Sequence, residues 1–97
     1  MPCVPLAEVI VDNRPEGAVL SVRGEIDLSN TAAMRTEIIA AVPRDSPGAV
    51  IDLTDTSYLD SSGIRLLFDV AEQLQARRQR LALVATEAAV VRRVLLL

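Results

Sequence analysis

The chain contains no histidine and no lysine, and all ten of its basic residues are arginine. Histidine is the usual general base for a serine or cysteine nucleophile and the commonest metal ligand in proteins. The single cysteine, Cys3, cannot form an internal disulfide, and one cysteine without histidine does not make a zinc site. We therefore expect no bound metal, no cofactor and no conventional enzymatic activity.

Aromatic residues are also scarce, since Tyr58 and Phe68 are the only two. The net charge of −3 and the lack of stacking side chains argue against direct binding of nucleic acid, which depends mainly on neutralising phosphates. No apolar run approaches the roughly 20 residues of a membrane span, and the first residues lack the basic start of a signal peptide. We expect a cytoplasmic protein that binds neither nucleic acid nor membrane.

Hydrophobic periodicity and turn residues predict seven elements in the order strand, strand, helix, strand, helix, strand, helix. The predicted strands are residues 8–11, 18–24, 49–53 and 81–85, and the predicted helices are residues 30–42, residues 61–78 and a last helix from Thr86. Alternation of strands with helices indicates crossover connections. The sequence therefore predicts a single α/β domain over residues 1–97, with helices packed against a mixed, mostly parallel sheet.

The helix that begins at Ser61 has the clearest amphipathic pattern. Its predicted core stripe consists of Ile64, Leu67, Phe68, Ala71 and Leu74. Leu66 and Val70 lie off this stripe, where a partner protein would bury them, although lone exposed apolar residues are ordinary.

Residues 60–64, with the sequence Asp-Ser-Ser-Gly-Ile, open the same helix. A capping turn explains them simply, and Asp60 and Ser61 both qualify as the N-cap. One cap is enough, so the hydroxyl of Ser62 is surplus, and Gly63 would leave the approach to it open. Unpaired backbone N–H groups and the helix dipole favour a negative charge at this position. On these residues alone the capping turn is the favoured interpretation, and the surplus hydroxyl strengthens the alternative, a phosphate on one of these serines.

A second polar segment, Gly24-Glu25-Ile26-Asp27, follows the second predicted strand and is otherwise an ordinary loop. If this strand and residues 49–53 are parallel neighbours, both end at the same edge of the sheet, where such folds place ligands. Asp27 would then lie close to Ser62, where it would orient the hydroxyl or repel a phosphate.

Three segments together resemble the STAS domain of bacterial anti-sigma-factor antagonists: Gly24-Glu25-Ile26-Asp27, Ile51-Asp52-Leu53 and Tyr58-Leu59-Asp60-Ser61-Ser62-Gly63-Ile64. Their order and spacing agree over nearly the whole chain. The resemblance implies that an anti-sigma factor with serine kinase activity phosphorylates Ser62. The unphosphorylated protein would bind this kinase and free the sigma factor, and a serine phosphatase would reset the switch. Asp27 matches an acidic residue that assists recognition or phosphorylation.

The resemblance also implies a partner-binding surface around the phosphorylation site. Its expected members are Asp27, Asp60, Ser61, Ser62, Gly63 and Leu66. Two alternatives remain, a STAS module of a stressosome scaffold and one of an anion transporter. Ser62 and the lack of a membrane span disfavour the transporter module, and the short segment before the first strand disfavours the scaffold.

Members of the family usually continue past the third helix into a further strand and a final helix, whereas this chain ends at Leu97. We therefore expect a truncated C-terminus. The apolar stripe of the last predicted helix consists of Val90, Val91, Val94 and Leu95. An uncovered apolar stripe favours association, so we expect a homo-oligomer through this end or a less stable chain.

Overall fold

The fold consists of two strands, a helix, two strands, a second helix and a fifth strand, which the computed structural model describes for residues 6–85. In chain order the elements are β1 (Ala7–Arg14), β2 (Gly17–Ile26), α1 (Thr31–Ala41), β3 (Gly48–Asp52), β4 (Thr56–Leu59), α2 (Ser61–Ala76) and β5 (Arg80–Val84). All six predicted elements in this range are present, with ends that differ by three residues at most. The predictions for Thr86, Val90, Val91, Val94 and Leu95 lie outside the described residues.

The five strands form one mixed sheet in the order β1-β2-β3-β5, with β4 also paired to β2. β1 and β2 are antiparallel and joined by a two-residue turn, Pro15-Glu16. β2 pairs with β3, and β3 with β5, in parallel, so that Leu20 lies opposite Ile51 and Ile51 opposite Leu83. The predicted fold class, a mostly parallel sheet with packed helices, is confirmed.

The core lies between the two helices and the face of the sheet that presents Leu20, Val22 and Ile51. On α1, the buried side chains are Met34 and Ile38, spaced one turn apart as the sequence predicts. Each of these five side chains is almost fully buried. Burying an aliphatic side chain of this kind stabilises the fold by roughly 1.5–3 kcal/mol, so a domain with few aromatic residues still has a sufficient core.

Strand β4 was not predicted from the sequence. It has four residues, of which the two end ones, Thr56 and Leu59, are buried and the two middle ones are exposed. An element this short does not show the alternation of apolar and polar residues from which a strand can be predicted. Backbone and side-chain bonds fix it against β2: Thr56 Oγ1 donates to the carbonyl of Val22 over 2.9 Å, and the Gly24 N–H donates to the carbonyl of Asp55 over 3.1 Å.

The position of β4 determines where α2 begins. β3 lies beside the first half of β2, and β4 lies beside the second half in parallel, with Ile26 opposite Leu59. The two chains thus leave the sheet side by side, and the Asp60 N–H donates to the carbonyl of Ile26 over 3.3 Å. The polar loops after β2 and β4 are therefore neighbours.

The buried face of α2 differs from the predicted stripe. Its buried residues are Gly63, Leu66, Leu67, Val70 and Leu74. The expectation that Leu66 and Val70 lie off the core was wrong, since they are 2% and 0% exposed, and the placement of Phe68 in the core was also wrong, since it is 68% exposed. Both stripes satisfy helical spacing. The close packing of Gly63 on Leu59 of β4 selects the observed one.

Candidate functional site

Asp60 is the N-cap of α2. Its backbone is extended, and its Oδ1 accepts the N–H groups of Ser62 over 2.9 Å and Gly63 over 3.1 Å. The side-chain hydrogen bond from Ser62 is the main cause that lowers the pKa of this carboxyl below its ordinary value of 3.8, with smaller contributions from the N–H groups of Gly63, Ser62 and Leu28. Of the two candidate caps, Asp60 and Ser61, the structure therefore selects Asp60.

Ser62 is half-buried, and its hydroxyl donates to the same Oδ1 of Asp60. Ser61 precedes it on the exposed side of the helix. The hydroxyl of Ser62 is thus not needed as a cap. We expected unpaired N–H groups at this helix start that favour a negative charge. This was wrong for the N–H groups of Ser62 and Gly63, because both already donate to the Asp60 carboxylate.

Gly63 faces the core rather than the surface. It is buried, and a Cβ placed on it would lie 3.0 Å from Leu59 Cγ, 3.2 Å from Ile26 Cγ2 and closer still to Leu59 Cδ1. The interpretation that this glycine opens the approach to Ser62 was wrong. The missing side chain instead lets the first turn of α2 approach β2 and β4, which fixes where Ser62 stands.

The loop after β2 lies against the start of α2. The carboxylate of Asp27 accepts the N–H of Ser29 over 2.8 Å and also the Ser29 hydroxyl. Asn30 closes the loop, since its Oδ1 accepts the Asp27 N–H over 3.0 Å. The backbone N–H of Leu28, the residue after Asp27, contributes a little to the lowered pKa of Asp60. The loop that carries Asp27 thus lies beside the first turn of α2, which carries Ser62, and no hydrogen bond joins these two side chains.

Two hollows of opposite charge meet at the start of α2. The first, here called the acidic hollow, is lined by Glu25, Asp27, Leu28, Ser29, Tyr58 and Asp60. The second, the α1–α2 groove, is lined by Leu28, Thr31, Ala32, Arg35, Ser61, Ser62, Arg65, Leu66 and Asp69. Ser62 lines the groove, while its hydrogen-bond acceptor, Asp60, lines the acidic hollow. The serine therefore lies at the boundary between a carboxylate surface and an arginine surface.

Residues 9–97 match a family model described as Mlab, STAS domain. The chain belongs to the STAS domain family. It is 31% identical to the crystal structure of an anti-sigma factor antagonist from Mycobacterium paratuberculosis, with a TM-score of 0.78, covering 93% of this chain and 76% of that one. The anti-sigma factor antagonist SpoIIAA in its unphosphorylated form shares the fold, with a TM-score of 0.72 at 22% identity over 92% of this chain and 78% of that one.

A sequence relative is the anti-sigma-F factor antagonist RsfB of Mycobacterium tuberculosis, 45% identical over 58 residues. The match covers 59% of this chain and 47% of the relative, so it spans about half the length of that protein.

Among residues 6–85, the two most exposed large apolar side chains lie in the loop beside the groove and on α2. Leu28 is 80% exposed in the loop between the two hollows, and Phe68 is 68% exposed on α2, two turns beyond Ser61. Tyr58 adds an exposed ring beside the acidic hollow. Sequence reasoning missed Leu28, although an isolated leucine between Asp27 and Ser29 was a signal. Exposed aromatic and apolar side chains of this kind often anchor protein partners.

The same bonding pattern recurs after three strands of this domain. Asp27 binds Ser29, Asp52 binds Thr54 and Asp60 binds Ser62, each through a carboxylate that accepts from the residue two positions on. This hydrogen-bonding pattern by itself therefore stabilises turns and does not mark a functional site. Only Ser62 combines it with the first turn of a helix and a groove containing two arginines.

Between residues 6 and 85 no group of three or more acidic, cysteine or histidine side chains is placed to hold a metal ion. Over the same residues, neither helix has the length and apolarity to cross a membrane.

Proposed function

We propose that this STAS domain is an anti-sigma-factor antagonist that acts by partner switching. In its unphosphorylated form it binds an anti-sigma factor with serine kinase activity, and the sigma factor held by that kinase is released. Phosphorylation of Ser62 ends the binding, and a serine phosphatase restores it. The proposal is supported by the similarity to two anti-sigma factor antagonists, RsfB at 45% identity over the matched stretch and the Mycobacterium paratuberculosis protein at 31% identity.

The observation that carries the proposal is the position of the Ser62 hydroxyl. It lies at the start of α2, held by Asp60 and outside the core, between an acidic hollow and a groove. An exposed leucine, Leu28, stands beside it as an apolar anchor. A protein that docks on Leu28 and Phe68 would bring its own active site over this hydroxyl.

Phosphorylation transfers the γ-phosphoryl group of ATP to Ser62 Oγ. The new bond joins Oγ to phosphorus, the bond between the γ-phosphorus and the bridging oxygen breaks, ADP leaves and the hydroxyl proton is released. The change adds about −1.5 to −2 charges at a docking surface fitted to a neutral hydroxyl. Repulsion and desolvation of these charges then weaken the complex. ATP is bound by the kinase, so the antagonist itself holds no cofactor.

The structure refines the proposed partner-binding surface. Asp27, Asp60, Ser61 and Ser62 line the two hollows and remain in it. Gly63 and Leu66 are buried and support the surface from below. Leu28 and Phe68 replace them as apolar contacts.

The test is phosphorylation by the cognate kinase, identified by co-purification from the native cell. We expect mass spectrometry to place the phosphate on Ser62, Ser62→Ala to abolish phosphorylation while retaining kinase binding, and Ser62→Asp to bind more weakly. Ser61→Ala removes the adjacent hydroxyl and should still be phosphorylated on Ser62. Phosphate found on Ser61 alone, or unchanged phosphorylation of Ser62→Ala, would disprove the assignment.

A further inference from the structure

Phosphorylation of Ser62 would break the hydrogen bond that now holds its side chain. The hydroxyl donates its only proton to the Asp60 carboxylate. A phosphate ester has no such proton at Oγ and places a dianion beside that carboxylate, so attraction becomes repulsion. The N–H groups of Ser62 and Gly63 offer no alternative, because Asp60 accepts them both. The phosphate is therefore driven away from the acidic hollow.

The α1–α2 groove lies on the other side of Ser62 and contains two arginines. Arg65 is on α2 three residues after Ser62, the spacing at which side chains on one helix are neighbours. Arg35 is on α1 and lines the same groove. Within residues 6–85 the ion pairs join Arg14 to Asp12 and Arg23 to Asp55, so neither groove arginine is paired. Asp69 is the acidic side chain in the groove, four residues beyond Arg65.

We propose that the α1–α2 groove is the receptor for the phosphate of phospho-Ser62 in the same chain, with Arg65 and Arg35 as its binding residues. This inference rests on the proposed phosphorylation of Ser62. Arginine presents a planar fork of N–H donors that suits phosphate oxygens. The phosphorylated side chain then fills the groove beside Leu28 and neutralises the arginines. The modification thereby changes both the shape and the charge of the docking surface.

The experiment measures the second pKa of the phosphate, which is about 6 for a free phosphoserine. Phosphoserine is incorporated at position 62 during translation, so that no kinase is needed, and the full chain is titrated by ³¹P NMR. The arginines stabilise the dianion, so their removal raises this pKa. We expect Arg35→Gln/Arg65→Gln to raise it by roughly half a unit to one unit, since the pair is exposed to solvent screening.

Three controls separate a local contact from a general charge effect. Arg44→Gln removes one positive charge, as each of the two groove substitutions does, from the exposed loop between α1 and β3 at the opposite edge of the sheet, and should leave the titration unchanged. Arg65→Lys keeps the charge and should retain most of the effect. At 1 M salt, where the screening length falls to roughly 3 Å, the difference between wild type and the double variant should shrink.

An unchanged pKa in the double variant, or an equal rise in Arg44→Gln, would overturn the inference. The inference would also be overturned if the unphosphorylated double variant bound the kinase more weakly while its phosphoserine form titrated like wild type, because the arginines would then be partner contacts. Thermal melts of the unphosphorylated variants confirm that each one folds. Failure of the proposed function would be seen separately, as a kinase that does not modify Ser62, and would leave the titration of incorporated phosphoserine intact.

Discussion

The hydroxyl of Ser62 and the N–H of Ser62 both donate to one oxygen, Oδ1 of Asp60, which also caps α2. The residue proposed to be modified is thus bonded to the residue that begins the helix. Any change at Ser62 acts on the helix cap, and any change at Asp60 acts on the orientation of the hydroxyl.

The first prediction concerns the pH dependence of stability through Asp60. Hydrogen bonds hold the pKa of this carboxyl in the folded protein below its ordinary value of 3.8. The ionised carboxylate therefore stabilises the fold fully above that value, and the contribution is lost as pH falls through the lower folded pKa. Asp60→Asn keeps an acceptor but loses the charge, so we expect it to melt below wild type at neutral pH, with a gap that closes in acid.

Urea or thermal unfolding from neutral pH to about pH 2.5 checks this expectation. Asp60→Ala removes the acceptor as well and should be less stable than wild type across the range. Aspartate and asparagine are good helix caps, whereas alanine is not. A gap between wild type and Asp60→Asn that stays constant with pH would contradict the role assigned to the charge.

The second prediction distinguishes the two faces of α2. Leu66→Ala deletes a buried side chain and should cost about 2–5 kcal/mol of unfolding free energy. Phe68→Ala changes an exposed side chain and should stay within about 0.5 kcal/mol of wild type. We expect the reverse for binding of the kinase, which Phe68→Ala should weaken more than Leu66→Ala does. Equal destabilisation by the two substitutions in urea titrations would mean that Phe68 belongs to the core.

The third prediction concerns the approach of α2 to the sheet. Gly63→Ala adds a methyl group within 3.0 Å of Leu59 Cγ, and overpacking of this kind costs about 1–3 kcal/mol. The higher helix propensity of alanine offsets part of this, by about 1 kcal/mol at most. The double variant Gly63→Ala/Leu59→Ala should be more stable than the sum of the single changes predicts, as measured by urea unfolding in a double-mutant cycle. If the two changes in unfolding free energy were strictly additive, the added methyl group would not clash with Leu59.

The sequence predicted the order of the elements because the breakers around Pro15, Pro43 and Gly48 separate clear apolar runs. It did not predict β4, whose pairing depends on contacts with β2 distant in sequence. The error on α2 has the same origin. Leu66 and Phe68 fit two helical stripes equally well by periodicity, and only the packing of Gly63 on β4 distinguishes them. A rotation of the helix by one residue position therefore needs tertiary information.

The sequence predicted Asp27 and Ser62 to be neighbours, but not the strand that brings them together or the charge pattern around them. The prediction relied on β2 and β3 as parallel neighbours, whereas β4 is the strand that places the start of α2 beside the loop after β2. The sequence alone did not single out Arg35 and Arg65, because each is an ordinary polar residue on the exposed side of an amphipathic helix. Their meeting in one groove depends on how α1 packs beside α2.

The last prediction concerns Asp27, which lines the acidic hollow next to Asp60. Asp27→Asn removes the charge but keeps an oxygen that can accept the Ser29 N–H, so the loop should persist and the unfolding free energy should change by no more than about 0.5 kcal/mol. We expect slowed or lost phosphorylation of Ser62, because the kinase would lose a charged contact beside the hydroxyl. Initial rates with the cognate kinase and ATP give the measurement.

Asp45→Asn, an equal charge change in the exposed loop at the other edge of the sheet, should be phosphorylated at the wild-type rate. If Asp27→Asn unfolds instead, the carboxylate is a structural element of the loop and its functional role is refuted.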